Sequence, residues 1–234
     1  MILNRLDYNE GCEDRYGVGH QILATGEYDP DEVAYLKRLL DDKRKVYGTS
    51  VVAIDCGANI GVHSVEWSRH MRGWGSVIAI EAQERIFYAL AGNLALQNCF
   101  NARAIWAAVD RKCGSMKIPE PDYSAPGSFG SFELRERAKT EYIGQCIDYE
   151  EPTLQIRALS IDSLRLPRVD LIKLDVEGME LDGLLGAFET IKRCKPYLFF
   201  EVGKCDERGI EKLLSELDYA ICDKLKMNLL AAPK

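Results

Sequence analysis

The chain has 234 residues, of which 47% are hydrophobic and 29% charged, a composition typical of a folded domain that excludes long-range disorder. Its 30 Lys and Arg residues and 37 Asp and Glu residues give a net charge of −7, which disfavours nucleic acid and anionic membranes as partners. Because no apolar run is long enough to span a bilayer and residues 1–14 lack an apolar signal-peptide core, we expect a cytoplasmic protein that does not insert into a membrane.

The predicted elements begin with a helix over residues 29–47, where Asp29, Pro30 and two further acids form a typical helix start. From residue 51 on, short apolar runs that indicate buried strands alternate with stretches of helical periodicity. Strands are predicted over residues 51–55, 76–82, 102–109, 155–159, 170–175, 197–202, 219–223 and 228–232, and helices over residues 61–70, 83–99, 179–192 and 206–217.

Residues 113–152 interrupt this alternation. They contain several prolines and show no clear periodicity, so we expect an inserted lid or acceptor-binding segment rather than a plain connection. The predicted organisation is an N-terminal segment and helix over residues 1–47, followed by one domain over residues 48–234 that carries this insertion.

The alternation of strands and helices predicts right-handed crossovers and a parallel sheet. Residues 224–227 join the last two predicted strands, and so short a turn requires an antiparallel pair. We therefore predict a Rossmann-like α/β fold that resembles the class I methyltransferase fold. It has a mostly parallel seven-stranded sheet, an antiparallel edge strand and helices on both faces.

A glycine-containing turn follows the first strand of this domain, with the sequence Asp55-Cys56-Gly57-Ala58-Asn59-Ile60-Gly61. Glycine at 57 and 61 allows a tight turn and close approach to a ligand, and Asp55 can order the turn or face a cationic amino group. Glu81 ends the next strand, where a carboxylate can accept hydrogen bonds from the hydroxyls of a ribose. A nicotinamide-binding G-x-G-x-x-G motif would require glycine at 59 and 62, which are Asn and Val here. A turn that serves only the strand–helix connection remains an alternative.

Acidic residues follow two later strands. Asp175, Glu177 and Glu180 follow the strand residues 170–174, and Glu201 follows residues 197–200. Ligands of open α/β sheets bind beyond the carboxyl ends of the strands, so Asp175 or Glu177 could be a general base, and Glu180 and Glu201 could contact the substrate. Two structural alternatives stand beside these roles: an ion pair between Lys173 and Asp175, and an interaction of Glu180 with its helix dipole.

Metal binding is not predicted. The acids could hold Mg²⁺, but nothing in their spacing requires it. The eight cysteines include no C-x-x-C pair and the three histidines no H-E-x-x-H motif, which argues against zinc.

Three motifs together resemble the FkbM family of S-adenosylmethionine-dependent methyltransferases: the turn at 55–61, the pair Ile80-Glu81, and the run Ile172-Lys173-Leu174-Asp175-Val176-Glu177-Gly178-Met179-Glu180. The resemblance extends from residue 48 to the C-terminus, is weakest over 113–155 and is absent over 1–27. It implies a Rossmann-like fold, S-adenosylmethionine as methyl donor, and methylation of a hydroxyl oxygen on a polyketide, sugar or glycan. It also implies donor-binding residues: Asp55, Gly57, Asn59 and Gly61 on the methionine side, Glu81 at the ribose, and Ala108 and Val109 near adenine.

Two further residues complete the candidate site. His20 lies in a glycine-rich segment that can fold over the site, and its side chain suits a base, with a surface histidine as the alternative. Phe129 lies in the stretch 128–132 of the insertion, which can form a lid or a small core under a long loop.

The predicted function is therefore S-adenosylmethionine-dependent O-methylation of a small molecule or glycan. An N-methyltransferase acting on RNA or protein, and an inactive donor-binding partner subunit, remain as alternatives, although the net charge disfavours RNA. The acidic helix at 29–47 could support a homodimer.

Overall fold

A computed structural model of the chain describes residues 1–10 and 15–234. Cys12, Glu13 and Asp14, which enter the cysteine count and the acidic N-terminus, lie outside the described residues. The helices are α1 (Val18–Thr25), α2 (Pro30–Tyr47), α3 (Val62–His70), α4 (Glu84–Leu96), α5 (Glu180–Leu185), α6 (Phe188–Cys194) and α7 (Glu207–Glu216). The strands are β1 (Asn9–Glu10), β2 (Arg15–Tyr16), β3 (Val51–Cys56), β4 (Gly75–Glu81), β5 (Ala102–Trp106), β6 (Ala108–Val109), β7 (Gly114–Ile118), β8 (Leu154–Leu159), β9 (Leu171–Leu174), β10 (Tyr197–Glu201), β11 (Tyr219–Leu225) and β12 (Asn228–Pro233).

The predicted seven-stranded sheet is confirmed within the described residues, with the strand order β11-β12-β10-β9-β3-β4-β5. The pairs from β10 to β5 are parallel, as the strand–helix alternation predicts. The antiparallel strand is β12, which lies between β10 and the edge strand β11 and pairs with both. The strand order changes direction at β3, so the crevice that binds ligands in such sheets opens beyond β3 and β9.

Both faces of the sheet are covered. Alternate strand residues such as Ile54 and Ile172 pack on one face against α6 and α7, while their neighbours Ala53 and Leu171 pack on the other face against α2 and α3. A parallel sheet buried on both faces is built from such continuous apolar runs, because side chains alternate between its two sides. Among the described residues, no helix is both long and apolar enough to cross a bilayer.

The strand predicted over residues 102–109 is wrong in one respect, because the chain changes sheets at Ala107. Strand β5 pairs with β4 only as far as Trp106, which lies opposite Glu81. Ala107 still donates its backbone N–H to the carbonyl oxygen of Glu81, where β4 ends, and β6 then pairs with β8 in a separate three-stranded sheet. The predicted strand at 155–159 belongs to this second sheet, where it also pairs with the unpredicted β7.

The single helix predicted over residues 179–192 is also wrong, because α5 and α6 are separate helices. Asp162 accepts hydrogen bonds from the backbone N–H groups of Glu189 and Thr190, and so satisfies the first turn of α6. Gly186 lies between the helices, where a Cβ atom would come within 2.2 Å of the Asp110 carbonyl oxygen. The break therefore depends on residues more than 20 positions away along the chain.

The insertion and the N-terminal segment pack together over the carboxyl ends of the strands. Phe132 and Ile143 of the insertion form a core with Met179, whereas Phe129 is fully buried in another core with Val18 of α1. Helix α1, which the sequence did not predict, is thereby attached to the insertion. Phe129 therefore belongs to a small core under the long loop, which is the alternative given in the sequence analysis.

Candidate active site

A cavity of about 410 Å³ lies at the carboxyl ends of β10, β9, β3 and β4, within the usual range of about 300–1,000 Å³ for a small-molecule site. Its floor is formed by the residues that end these strands. The N-terminal segment, the insertion and the turn before β12 contribute its walls, through Val18, Ser131 and Met227 among others.

The turn after β3 forms the centre of the floor. Gly57 has φ +73°, and a Cβ atom there would lie 1.7 Å from the Asp175 carbonyl oxygen, so only glycine fits between the ends of β3 and β9. Asn59, with φ +48°, lines the cavity beside it. Gly61 does not line the cavity; it precedes α3 with φ +91°, where a Cβ atom would contact Leu90.

Glu81 lies at one end of the cavity and is only 5% exposed. One carboxylate oxygen accepts the backbone N–H of Asn59 at 2.9 Å, and the other accepts that of Gln83 at 2.8 Å. Burial raises the pKa of Glu81 to about 7, although these N–H groups oppose the shift. The carboxylate of Glu81 is thus oriented by the backbone, at a place where a carboxylate can accept hydrogen bonds from ligand hydroxyls. Ala108 and Val109 line the cavity as well.

Lys173 and Asp175 form the predicted ion pair, with 2.9 Å between the ammonium nitrogen and a carboxylate oxygen. Burial would lower the pKa of Lys173, but Asp175, Asp55 and Glu32 outweigh it and raise this pKa. Asp55 of β3 is the register partner of Lys173 on the neighbouring strand β9. It does not line the cavity, and it accepts a hydrogen bond from Ser64 of α3. Its position fits an ordering role beneath the turn.

Glu177 lies next to a second lysine. Its carboxylate forms an ion pair with Lys204, which also pairs with Glu141 of the insertion at 2.6 Å. Burial and the nearby charges of Asp175 and Glu201 raise the pKa of Glu177 well above its ordinary value, while Lys204 opposes this shift. Lys204 therefore connects the loop after β9 to the insertion across the cavity.

Glu201 completes the acidic end of the cavity. Oxygens of Asp175, Glu177 and Glu201 all lie within 4.8 Å of one another. Glu201 differs from the other two because it forms no ion pair or hydrogen bond through its carboxylate with the described residues, and its Oε2 atom is buried. Burial, and next the charge of Asp175, raise its pKa to about 7.

Three other predicted site residues lie outside the cavity lining. Glu180 is 1% exposed and accepts the backbone N–H groups of Val176 and Gly178, so it holds the loop after β9 in place. His20 lies on α1 beside the Tyr8 ring, and Phe129 is in the core described above. The geometry thus gives no support to His20 as a base or to Phe129 and Glu180 as substrate contacts.

Several lining residues were not predicted. Glu32 of α2 lies 3.1 Å from His63 and accepts a hydrogen bond from Asn228, and Tyr28 lies close to the charge of Asp175. Gln83 is held by the Phe129 carbonyl group. Gln83 and Lys204 could have been found from their places just after strands that end in acids, whereas nothing local marks Tyr28 or Glu32.

The comparisons with known proteins concern the family and the fold. The model of the family described as "Methyltransferase FkbM domain" matches residues 55–221. A methyltransferase FkbM structure from Methylobacillus flagellatus KT has a TM-score of 0.53 and 19% identity, covering 78% of this chain and 43% of that one. The structure of monomeric WbdD has a TM-score of 0.53 and 10% identity, covering 99% of this chain and 48% of that one.

These two likenesses concern the fold alone, and this chain spans less than half the length of either structure. No curated protein is significantly similar to it in sequence.

Proposed function

The chain belongs to the FkbM methyltransferase family, a family of S-adenosylmethionine-dependent enzymes with this Rossmann-like fold, and we propose that it methylates a hydroxyl oxygen on a small molecule, sugar or glycan. One observation carries the proposal. A single cavity follows the strand ends from Glu81 on β4, past the glycine turn after β3, to the carboxylates after β9 and β10. It therefore joins a site suited to a ribose with a site suited to proton transfer.

The residues present fit S-adenosylmethionine. Glu81 lies in the cavity lining, where a carboxylate can accept hydrogen bonds from hydroxyl groups, and Gly57 lines the cavity without a side chain. Ala108 and Val109 supply apolar surface for a base, and the acidic end favours a positively charged sulfonium. Glu81, Gly57, Asn59, Ala108 and Val109 are the residues that would hold the donor.

S-adenosylmethionine supplies an activated methyl group on a cationic sulfur. The chain itself has to align the acceptor oxygen for in-line displacement and accept its proton. Carboxylates near the sulfonium help donor binding, but they lose this interaction as the positive charge disappears and so do not accelerate the transfer. Proton acceptance is therefore the catalytic task that falls to the acidic end of the cavity.

The charges in the lining favour an acceptor without phosphate groups. Each of the three lining lysines already contacts at least one carboxylate: Lys173 with Asp175, Lys204 with Glu141 and Glu177, and Lys226 with Asp29. A phosphate would thus compete with these ion pairs and approach further carboxylates. This arrangement supports a small-molecule or glycan hydroxyl over an RNA substrate.

Transfer of a labelled methyl group from S-adenosylmethionine to matched acceptors tests the proposal. The acceptors are a neutral methyl glycoside, a polyketide alcohol, a primary amine and an RNA oligonucleotide. We expect a methyl ether on a hydroxyl acceptor, and loss of the product in Glu81→Gln. Methylation of nitrogen alone, or no transfer to any acceptor by a protein that binds the donor, would overturn O-methylation.

A further inference from the structure

The three carboxylates at the acidic end of the cavity are not equivalent. Asp175 contacts the ammonium group of Lys173, and Glu177 contacts that of Lys204. In both pairs a lysine ammonium group already occupies a carboxylate oxygen that an acceptor hydroxyl would have to approach. Glu201 forms no such pair with the described residues.

Glu201 lines the same cavity as the other two carboxylates. It is the last residue of β10, it lies opposite Asn228 of β12, and the residue before it pairs with Leu174, next to Asp175. The charged groups around it are Asp175 and Glu177 from the loop after β9, Glu180 from α5, Lys173 from β9 and Lys204 from the loop after β10. Of the three carboxylates at this end of the cavity, Glu201 is the one whose oxygens contact no lysine of the described residues, which leaves them open to an acceptor hydroxyl.

From this geometry, and resting on the proposed O-methylation, we infer that Glu201 is the general base that takes the proton of the acceptor hydroxyl. As the new oxygen–methyl bond forms, the carbon–sulfur bond breaks and its electron pair stays on sulfur, which becomes a neutral thioether. The hydroxyl proton passes to Glu201, which becomes a neutral carboxylic acid. The negative charge of Glu201 and the positive charge of sulfur therefore disappear in the same step.

The protonation behaviour of Glu201 suits this role. Burial, and next the charge of Asp175, raise the pKa of Glu201 to about 7, and a base is most effective when its pKa lies near the working pH. The pKa of Glu177 is raised as well, but its carboxylate contacts the Lys204 ammonium group, whereas no lysine among the described residues contacts that of Glu201.

Binding of two donor analogues tests the inference without any acceptor. S-adenosylhomocysteine lacks the transferred methyl group, whereas sinefungin carries a protonated amine on the carbon that replaces the methylated sulfur. A carboxylate beside the transfer position favours sinefungin, because the amine becomes its ion-pair partner. The quantity measured by calorimetry is the affinity for sinefungin divided by the affinity for S-adenosylhomocysteine. We expect this ratio to rise in the native protein as the pH increases through about 7.

Variants of the three carboxylates assign this effect. In Glu201→Gln we expect this ratio to be about tenfold lower than in the native protein and no longer to rise with pH. Asp175→Asn and Glu177→Gln should keep the rise. Glu211→Gln, an exposed acid of α7, controls for the charge change, and any titration of the analogue amine is common to all variants. Glu201→Asp keeps a carboxylate, so we expect it to retain part of the rise even if the glutamine variant folds poorly.

Two results would overturn the inference: an unchanged ratio in Glu201→Gln, or a loss of the pH-dependent rise in Asp175→Asn or Glu177→Gln instead. If the native protein bound neither analogue, the proposed function would fail together with the inference. A failure of the inference alone is recognised because both analogues then still bind to the native protein.

Discussion

Glu81 and Glu201 are two partly or wholly buried carboxylates with pKa values raised to about 7, but their surroundings differ. Glu81 accepts two backbone N–H groups, which fix its orientation and favour its charged form. Glu201 accepts none from the described residues. The first environment suits a fixed acceptor for ligand hydroxyls, and the second suits a group that gains and loses a proton.

The first prediction concerns donor binding by Glu81→Gln. We expect the affinity for S-adenosylhomocysteine to fall by at least about tenfold, because two hydrogen bonds to a charged acceptor are weakened. In the native protein, the affinity should also fall as the pH drops below about 7, since a protonated Glu81 accepts hydroxyl hydrogen bonds less well. Calorimetry measures both effects, with Glu211→Gln as the control. If the native protein and Glu81→Gln bound S-adenosylhomocysteine with the same affinity at every pH, Glu81 would be excluded from the ribose site.

The second prediction concerns Gly57. A Cβ atom at this position would lie 1.7 Å from the Asp175 carbonyl oxygen, at a positive φ that other residues rarely adopt. We expect Gly57→Ala to lower the free energy of unfolding by at least about 3 kcal/mol, because overpacking and backbone strain add. Chemical denaturation measures this cost. Gly114→Ala is the control, because its new Cβ has no atom within 4 Å, and its free energy of unfolding should change much less. Comparable losses of stability in both variants would contradict the close approach of β3 and β9.

At the scale of elements, the attachment of the N-terminal segment depends on Asp7. This residue is 2% exposed, and its two carboxylate oxygens accept the backbone N–H groups of Gly19 at 2.8 Å and Phe129 at 3.0 Å. One side chain thus joins α1 to the insertion, and both of these segments line the cavity. The walls of the cavity are therefore coupled to each other rather than only to the sheet.

The third prediction follows for Asp7→Ala. We expect a loss of about 2–4 kcal/mol in stability, because two buried N–H groups lose their acceptor. Limited proteolysis should also cut the N-terminal segment and the insertion faster, and S-adenosylhomocysteine should bind more weakly. Asp31→Ala, an exposed acid in the first turn of α2, should cost less than about 1 kcal/mol. Native protease resistance in Asp7→Ala would show that another contact holds the two segments together.

The elements that the sequence predicts well are those whose signals are local. Helix α2 begins at Pro30 and is followed by Gly48 at φ +75°, and the buried strands β3, β4, β9 and β10 are short apolar runs. The division between α5 and α6 could not be predicted, because Asp162, which satisfies the second helix, is distant in sequence. The change of sheets at Ala107 depends on where the neighbouring strand ends, which is likewise not a local property.

The candidate site divides in the same way. Gly57, Glu81, Asp175 and Glu201 were found because they follow strands that end at one edge of the sheet. The lysine partners of Asp175 and Glu177 decide which of the three carboxylates is left without an ion pair, and the partner of Glu177 is 27 residues away. The roles of Tyr28 and Glu32 arise from the packing of the N-terminal segment, for which the family resemblance offers no guide.

At the scale of the whole molecule, several buried acids make stability depend on pH. The pKa values of Glu81, Glu177, Glu180 and Glu201 are all raised above the ordinary value of 4.5, chiefly by burial. Between pH 4.5 and about 7 the folded chain therefore binds more protons at these groups than the unfolded chain does. Their contribution to stability is fully present below pH 4.5 and is lost as the pH rises through about 7.

The fourth prediction is a decrease in the free energy of unfolding between about pH 5 and about pH 8, with Glu81 contributing at most about 3 kcal/mol. Urea denaturation at a series of pH values measures the slope. Glu81→Gln should flatten it, and Glu211→Gln should follow the native curve. A native stability that increases steadily over this range would contradict the burial of these charges.

The division at residue 47, the possible homodimer and a hydroxyl group as the methyl acceptor stay predictions. The −7 charge and the paired lysines of the cavity both favour an uncharged acceptor over a nucleic acid. The family and the fold are consistent with each other, since residues 55–221 match the family and contain the strand ends that form the floor of the cavity.

Calorimetric titration of the native protein with S-adenosylhomocysteine, with NAD⁺ in a parallel titration, tests most directly whether this cavity is a methyl-donor site. We expect S-adenosylhomocysteine to bind with a dissociation constant in the range of about 1–100 μM, about 6–8 kcal/mol of binding free energy, and NAD⁺ to give no heat. Binding of NAD⁺ in place of S-adenosylhomocysteine would contradict the assignment of Glu81 and the glycine turn to a methyl donor.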